Sequence, residues 1–502
     1  MGKICLCLTG KTLAQDLEIL DRNRKYVDIV ELRADCLTPD ERLLLRRFPE
    51  MAGVPVILTI RRGIDGGCYL GGESSRITLL AKGLAYANAD RRRNFAYVDL
   101  EEDLNVPSLE EAARAFGTRI IRSCYNMEGV NENLAGKLRK LRRVGDEFAK
   151  AALMPRSLDE VFRVYQAARQ TSDIDKIFFC MGEYSANISI LAAHLGSRIA
   201  YTFPAGESDL PPAVPGQLTP KELAELYRFH EITPKTKIFA VTGYPLKVSV
   251  SPLFFNTIFG IEQTDAVLIP IPADSIQSMI RLADEIGLSG FSVTVPYKEK
   301  VLSCLTNQSR EVLSIGACNV IVPNPQRWTG YNTDAVSFSG SLLSFIGRKN
   351  LQGRKLTIIG AGGTARAVAS EVHRLKGKAL ILNRTVARAR ILAEPYRFAW
   401  AGLDSRGAEL MEKYSGIIIQ ASSAGMAPSI EVDPIDFYKF SGRETVMDLI
   451  YRPEKTVCLK RAEEAGCRIL NGYDMLLRQL RCHYTFFVDK EFPPSLISRV
   501  GV

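Results

Sequence analysis

The stretch that most constrains this chain is residues 356–385, LTIIGAGGTARAVASEVHRLKGKALILNRT. Four β-forming residues, Leu356, Thr357, Ile358 and Ile359, run into Gly360-Ala361-Gly362-Gly363-Thr364-Ala365. An apolar helical pattern follows, and then a second buried-strand run from Ala379 to Leu382. Strand, glycine turn, helix and strand make half of a dinucleotide-binding βαβ unit. Gly360 permits the tight turn, Gly362 lets backbone N–H groups approach a pyrophosphate, and the small Ala365 lets the helix sit close on its strand. The helix N-terminus then faces the phosphate charge. Alone, such a pattern also serves as an ordinary strand-to-helix turn; the second strand favours the nucleotide site. A carboxylate ending that strand would hold a ribose 2′-hydroxyl and repel a 2′-phosphate. Here the strand ends Asn383-Arg384-Thr385, and Arg384 can pair bidentately with a phosphate. The expected cofactor is NADP.

At 502 residues the chain is too long for one core and suggests two to four domains. Its 46% hydrophobic and 24% charged residues are those of an ordinary globular protein. The densest basic clusters, Arg91-Arg92-Arg93 and Arg46-Arg47, read as solvated helix faces without interleaved aromatics, so no nucleic-acid partner is expected. The net charge of +9 suits small carboxylates and phosphates. Eleven cysteines without a CxxC pair, and only four histidines, argue for reduced thiols in a cytoplasmic protein and against a disulfide framework or a metal site. Cys5, Cys7, Cys124 and Cys180 sit in strand-like runs, as small buried apolar residues do. No signal segment is recognisable ahead of KICLCL, Leu6 replaces the hydroxyl residue of a myristoylation motif, and no apolar run approaches the roughly 18 residues of a membrane span. An oligomer remains open.

The first half alternates strands with helices. β-like runs fall at 3–8, 28–33, 54–61, 95–100, 119–124, 147–153, 176–181 and 199–203, with amphipathic stretches such as 157–170 between them. Eight such repeats predict a (β/α)8 barrel, whose chemistry gathers where strands end. Thr219, Pro220 and Glu222 supply the cap, proline and capping-box partner of a last helix at 219–230, and 232–237 reads as a linker. Lys150 is the odd residue, set in the apolar run FAKAALMP. Either its stem packs while its ammonium reaches outward, or it is a desolvated lysine whose lowered pKa leaves a neutral amine to attack a ketone.

ELR at 31–33, TIR at 59–61, DEFAKAALMP at 146–155, MGE at 181–183 and AVPGQ at 213–217 resemble type I 3-dehydroquinate dehydratases in order and spacing. The resemblance implies a barrel that dehydrates 3-dehydroquinate through a lysine imine, with Lys150 as the imine lysine and Glu31, Arg33, Arg61 and Gln217 contacting substrate. The family's general-base histidine is replaced by Tyr125, which could serve as a base only with a strongly depressed pKa. The glutamate ahead of the family's Gly-Gly is Asp65, the arginine after MGE is Ser189, and the serine of the substrate lid is Ala213.

In the second half, 238–243 reads as a strand, and Ser249 and Ser251 precede Pro252 and an apolar helix. This pair suits either a carboxylate or simple N-capping. Lys298 lies just beyond a strand ended by Pro296, while Asn319 and Asp334 are polar residues in strand-like or turn contexts. SVSP, VTVPYK, GACN, NTD, GAGGTAR, NRT, ASSAGM (421–426), DLIYRP (448–453) and GYDMLLRQ (472–479) together resemble shikimate dehydrogenases across 238–502. That resemblance implies two α/β domains flanking a cleft. Lys298 and Asp334 would be the catalytic pair, and Ser249, Ser251, Thr294, Asn319 and Gln479 would bind the shikimate carboxylate and hydroxyls. Gly360, Ala361, Gly362, Gly363, Thr364, Asn383, Arg384, Thr385, Tyr451 and Gly472 would line the cofactor. Ser292 replaces an asparagine usual before VT.

The resulting expectation is an α/β chain: a (β/α)8 barrel at 1–231, a linker at 232–237, a substrate domain at 238–345 plus 475–502, and an NADP-binding Rossmann domain at 346–474. It would convert 3-dehydroquinate to 3-dehydroshikimate and reduce that to shikimate. The alternative is a shikimate or quinate dehydrogenase carrying a non-catalytic, ligand-binding barrel.

Overall fold

The structure, a computed structural model, describes residues 2–85, 90, 93–204, 217–246 and 249–499. Arg91, Arg92 and residues 213–216 of the AVPGQ segment, Ala213 included, lie outside the described residues. The chain divides into two compact units, Met1–Leu288 with the last three residues, and Ser289–Arg499.

In the first unit, strands β1 (Lys3–Leu8), β2 (Ile29–Arg33), β3 (Val56–Thr59), β4 (Tyr97–Glu101), β5 (Arg119–Asn126), β6 (Phe148–Leu153), β7 (Lys176–Cys180) and β8 (Ile199–Thr202) follow the eight expected runs. They pair in parallel in chain order, with β1 between β2 and β8. A bridge between Lys176 and Ser197, with Arg198 N–H donating to the Lys176 carbonyl at 2.9 Å, brings β7 and β8 together into a nearly closed barrel. The two-residue period of a strand divides the core. Cys5, Cys7, Ile29, Ile57, Ile121, Phe148, Phe179 and Tyr201 fill one cluster, while Leu6, Leu8, Val30, Leu32, Val56 and Leu58 belong to another, packed under the helices. Glu31, Thr59, Asp99, Ser123 and Lys150 fall at the same alternate positions as the first cluster, so the strand period itself turns these polar side chains inward.

The 219–230 segment departs from expectation. Its capping box forms, Thr219 N–H donating to Glu222 Oε2 at 2.9 Å and Glu222 N–H to Thr219 Oγ1 at 3.1 Å. The helix, however, is one wide turn at Glu222–Leu226 and a tight turn at Phe229–Glu231. Between them Arg228 takes a left-handed φ of 49° and donates from Nη2 to the carbonyls of Thr264 and Ala266 at 3.1 and 3.0 Å. Strands β9 (Lys237–Gly243) and β10 (Ala266–Pro272) then pair in parallel. Asp274 and the helix Ile276–Ile286, which follow β10, tie this segment to the barrel in one unit: Leu158 N–H donates to Asp274 at 3.2 Å, Arg169 pairs with Glu285 at 3.1 Å, and Arg281 pairs with Asp159.

The second unit begins with β11 (Gly290–Val293), β12 (Asn307–Gln308), β13 (Val320–Asn324) and β14 (Arg327–Tyr331), β13 lying antiparallel to both β11 and β14. A six-stranded parallel sheet follows, built from β15 (Lys355–Ile359), β16 (Lys378–Leu382), β17 (Ala399–Ala401), β18 (Ile417–Gln420), β19 (Thr445–Asp448) and β20 (Arg468–Leu470). Its order, β17-β16-β15-β18-β19-β20, is that of a dinucleotide-binding sheet, and its direction reverses between β15 and β18. The glycine turn leaves β15 at that reversal. No helix among the described residues is long and apolar enough to cross a membrane.

Candidate active sites

Inside the barrel, Lys150 is completely buried; its Nζ lies 2.6 Å from Asp99 Oδ2 and 3.2 Å from Glu31 Oε1. The rings of Tyr201, Phe179 and Tyr125 surround it, with centroids at 4.7, 5.8 and 5.9 Å. Glu31 also accepts from Thr59 Oγ1 at 3.0 Å and Cys7 Sγ at 3.1 Å. Arg33 forks onto Asp35 at 2.9 and 2.7 Å. Arg61 lies over the Tyr125 ring, 4.6 Å from its centroid. Glu31, Arg33, Arg61 and Lys150 thus all belong to the buried polar lining.

Charge departs from both readings of Lys150 and does not meet the condition set for Tyr125 as a base. Burial by itself would lower the Lys150 pKa, but Asp99 and then Glu31 outweigh it and raise that pKa well above the usual lysine value. The buried carboxylates thus favour the ammonium form of Lys150, whose head group neither reaches outward nor is prepared as a neutral amine. Burial pushes the Tyr125 phenol up to about 12, with Arg61 only partly offsetting it, where service as a base required a depressed value. Glu31 is pushed up by burial but held at about 2 by Lys150, Arg61 and Arg33.

Asp99 is the residue that sequence reading missed. It is 3% exposed, contacts Lys150, accepts from Tyr125 Oη at 3.4 Å and forms a short contact with Ser123 Oγ. The available signal was the alternation in YVDLE, which turns this carboxylate inward. Among the described residues, buried Arg61 Nε, Tyr201 Oη and both amide atoms of Gln217 have no hydrogen-bond partner. Unpaired buried polar atoms are uncommon, and each calls for a partner.

In the second unit Lys298 Nζ donates to Asp334 Oδ2 at 2.6 Å and to Thr364 Oγ1 at 3.0 Å. Asp334 is fully buried and heads the helix Asp334–Ile346. Its other oxygen accepts from Asn319 Nδ2 at 3.0 Å and from Gln479 Nε2 in a short contact. Asn319 also donates to Thr333 Oγ1 at 3.0 Å, and that hydroxyl lies 3.0 Å from Nε2 of the buried His483. His483, four residues after Gln479 on the helix Tyr473–Val488, was not anticipated from sequence. Burial, reinforced by Lys298, lowers its pKa to about 3. Ser292 Oγ is buried without a partner among the described residues, so the shorter side chain leaves a polar gap where the resemblance expects an asparagine. Thr294 is half-buried on the loop that carries Lys298. In the first unit, Ser249 Oγ accepts from Ser251 N–H at 3.3 Å at the head of the helix Ser251–Ile261.

The glycine turn fits a pyrophosphate. Gly360 has a φ of 115°, and a Cβ there would sit 3.0 Å from the Ala421 carbonyl after β18. A Cβ on Gly362 would meet nothing within 4 Å, leaving open space over the helix Gly363–Arg374, whose first turn has no side-chain cap. A Cβ on Gly363 would lie 2.7 Å from Lys298 Cβ, so only glycine lets the lysine stem approach the turn. Ala361 is buried, and its carbonyl accepts from Arg388 at 3.2 Å. Asn383 Nδ2 folds onto the Thr385 carbonyl at 3.0 Å, while Arg384 is exposed with no ion pair or hydrogen bond among the described residues. Tyr451 is half-buried. Gly472 packs against backbone, a Cβ there falling 2.1 Å from the Leu449 carbonyl.

Comparison with known proteins finds matches for both halves of the chain. Family models match for type I 3-dehydroquinase over residues 4–234, shikimate dehydrogenase substrate binding domain over 241–321, and shikimate / quinate 5-dehydrogenase over 344–428. A bifunctional 3-dehydroquinate dehydratase/shikimate dehydrogenase, chloroplastic, of Arabidopsis thaliana is 27% identical, the match covering 93% of this chain and 79% of that one. A shikimate dehydrogenase (NADP(+)) of Caldanaerobacter subterraneus is 32% identical over 52% of this chain and 96% of its own. A solved shikimate dehydrogenase in complex with NADP+ is 30% identical over 54% of this chain and 98% of that one, with a TM-score of 0.48. The chain belongs to the shikimate dehydrogenase family and carries a type I 3-dehydroquinase domain ahead of it.

Proposed function

We propose that the chain is a bifunctional enzyme that dehydrates 3-dehydroquinate to 3-dehydroshikimate in the barrel and reduces that product to shikimate with NADPH in the C-terminal half. The observation that carries this reading is the contact between Lys298 and the glycine turn: an ammonium 2.6 Å from Asp334 also reaches Thr364, on the first turn of the helix whose N-terminus would face a pyrophosphate. A proton donor is thereby fixed beside a nucleotide cradle.

A bound NADPH would supply the hydride. The C3 oxygen of 3-dehydroshikimate then needs a proton. Lys298 has three N–H groups, of which two are committed to Asp334 and Thr364, and the third is left for that oxygen. Asp334 aims the ammonium and is itself fixed by Asn319 and Gln479. We assign Ser249, Ser251 and Thr294 to the substrate carboxylate and hydroxyls, and the turn 360–364, Asn383, Arg384, Thr385, Tyr451 and Gly472 to the cofactor. The free guanidinium of Arg384 supports a 2′-phosphate.

In the barrel, Lys150 must lose a proton before its amine can add to the substrate ketone, and of the two carboxylates in reach Asp99, at 2.6 Å against 3.2 Å for Glu31, is the nearer acceptor. The imine makes the neighbouring C–H acidic. We assign the acceptor role in the elimination to Asp99 and the donor role to Tyr125, whose phenol stays protonated at neutral pH. Glu31, Arg33, Arg61 and Gln217 would hold the substrate's polar groups.

Eleven free cysteines support a cytoplasmic location, and the domain limits 1–231, 238–345 plus 475–502, and 346–474 are those of the sequence reading. Separate variants test the proposal. Lys298→Ala should lose shikimate oxidation and keep dehydration, and Lys150→Ala should do the reverse. A Lys298→Ala protein oxidising shikimate at the parental rate would refute it.

A further inference from the structure

Two thiols meet at the barrel mouth, beside residues that the proposed reaction uses. Cys36 lies just past β2, three residues after Arg33, and Cys68 lies in the loop after β3, beyond Gly66-Gly67. Their sulfurs are 3.7 Å apart. Cys36 is buried and Cys68 is exposed. Asp35 ties the pair to the site: its Oδ2 accepts from Cys68 N–H at 2.9 Å and from Arg33 Nη2 at 2.7 Å, and its Oδ1 from Arg33 Nε at 2.9 Å. The Cys68 loop is also clamped to Arg61. Tyr69 N–H donates to the Arg61 carbonyl at 3.2 Å, and a Cβ on Gly67 would sit 2.2 Å from that oxygen.

We propose that Cys36 and Cys68 form a reversible disulfide in response to hydroperoxides, and that closing it displaces Arg33 and Arg61 and weakens substrate binding in the barrel. The exposed Cys68 reacts first: its thiolate attacks the peroxide O–O bond, giving a sulfenic acid and releasing an alcohol, or water from hydrogen peroxide. The Cys36 thiol then displaces water from that sulfenic acid. Two thiols and one hydroperoxide thus yield one disulfide, one alcohol and one water, and a dithiol reductant reverses the change. Moving the sulfurs from 3.7 Å to bonding distance requires roughly 1.6 Å of travel, and with Cys36 buried and Cys68 exposed we assign that movement to the Cys68 loop. That loop holds the Asp35 anchor of Arg33 and the backbone of Arg61, so the movement reaches both guanidiniums. A metal ion is a poorer occupant of the Asp35, Cys36 and Cys68 group. Both Asp35 oxygens are already engaged by the Arg33 cation, which also opposes a second positive charge.

The coupling to substrate rests on reading the barrel as a dehydroquinase. The full chain is treated with hydrogen peroxide, mapped by non-reducing peptide mass spectrometry, and titrated calorimetrically with 3-dehydroquinate. The expected result is a Cys36–Cys68 cross-linked peptide and at least about fivefold weaker binding, both reversed by dithiothreitol and both absent in Cys68→Ser. Shikimate oxidation should not change. Sulfinic acid on Cys68 with Cys36 still free, or a cross-link that leaves binding unaltered, would overturn the proposal. Reduced protein that does not bind 3-dehydroquinate would instead refute the barrel reading, and the peptide map would still decide for or against the disulfide.

Discussion

Each half of the chain contains a lysine 2.6 Å from an aspartate, yet the two surroundings differ. Lys150 is sealed in the barrel, with a second carboxylate, Glu31, at 3.2 Å and aromatic rings around it. The Lys298 side chain is 12% exposed, and its second partner is the neutral hydroxyl of Thr364. A lysine that must become a nucleophile has to give its proton away, whereas one that serves as an acid has to present it. Burial alone would prepare the first, but two buried carboxylates reverse that effect and favour the charged form of Lys150. A buried lysine is therefore not by itself an activated lysine: the carboxylates around it decide its charge.

The strongest way to break this contrast is Asp99→Asn. It should lower dehydratase turnover by about 10²–10⁴-fold and leave shikimate oxidation unchanged; equal losses in both assays would remove Asp99 from its assigned role. Acid titration sharpens the comparison next. His483 is held neutral in the folded second unit down to about pH 3, while an unfolded histidine takes its proton near pH 6.5. The unfolded chain therefore binds more protons between those values, and stability falls as pH drops below 6.5. From pH 7 to pH 5 that loss is about 2 kcal/mol. His483→Gln should abolish it in urea unfolding followed at the two pH values. In the barrel, Glu31 is depressed to about 2, so its contribution is fully present above pH 4.5 and is lost only as pH falls toward 2. A smaller effect concerns the cofactor. Arg384→Ala should raise the KM for NADPH about tenfold and barely alter that for NADH; equal changes would refute the 2′-phosphate assignment. Smallest, Ser251→Ala should raise the KM for shikimate by only a few-fold, with kcat nearly constant.

Much of this was legible in the sequence because it is local. The glycine turn, the capping box at Thr219 and Glu222, and the strand runs are each written within a few residues. The last barrel helix was not, because the left-handed turn at Arg228 is fixed by carbonyls at 264 and 266, more than thirty residues on. The charge on Lys150 was misjudged for the same reason: its partners lie 51 and 119 positions away. Asp99 sits beside acidic Glu101 and Glu102 at the end of a strand, where an acidic run resembles a solvated loop, and only barrel closure turns it onto Lys150. His483 gains its role only through packing, because its partner Thr333 lies 150 positions earlier.

The two lysines are assigned different chemistry, a nucleophile at 150 and an acid at 298. Borohydride reduction of the full chain in the presence of 3-dehydroquinate, followed by peptide mass mapping, tests this most directly. The expected result is substrate mass fixed on Lys150 and none on Lys298. An unmodified Lys150 in protein that still dehydrates 3-dehydroquinate, or an adduct at Lys298, would contradict it.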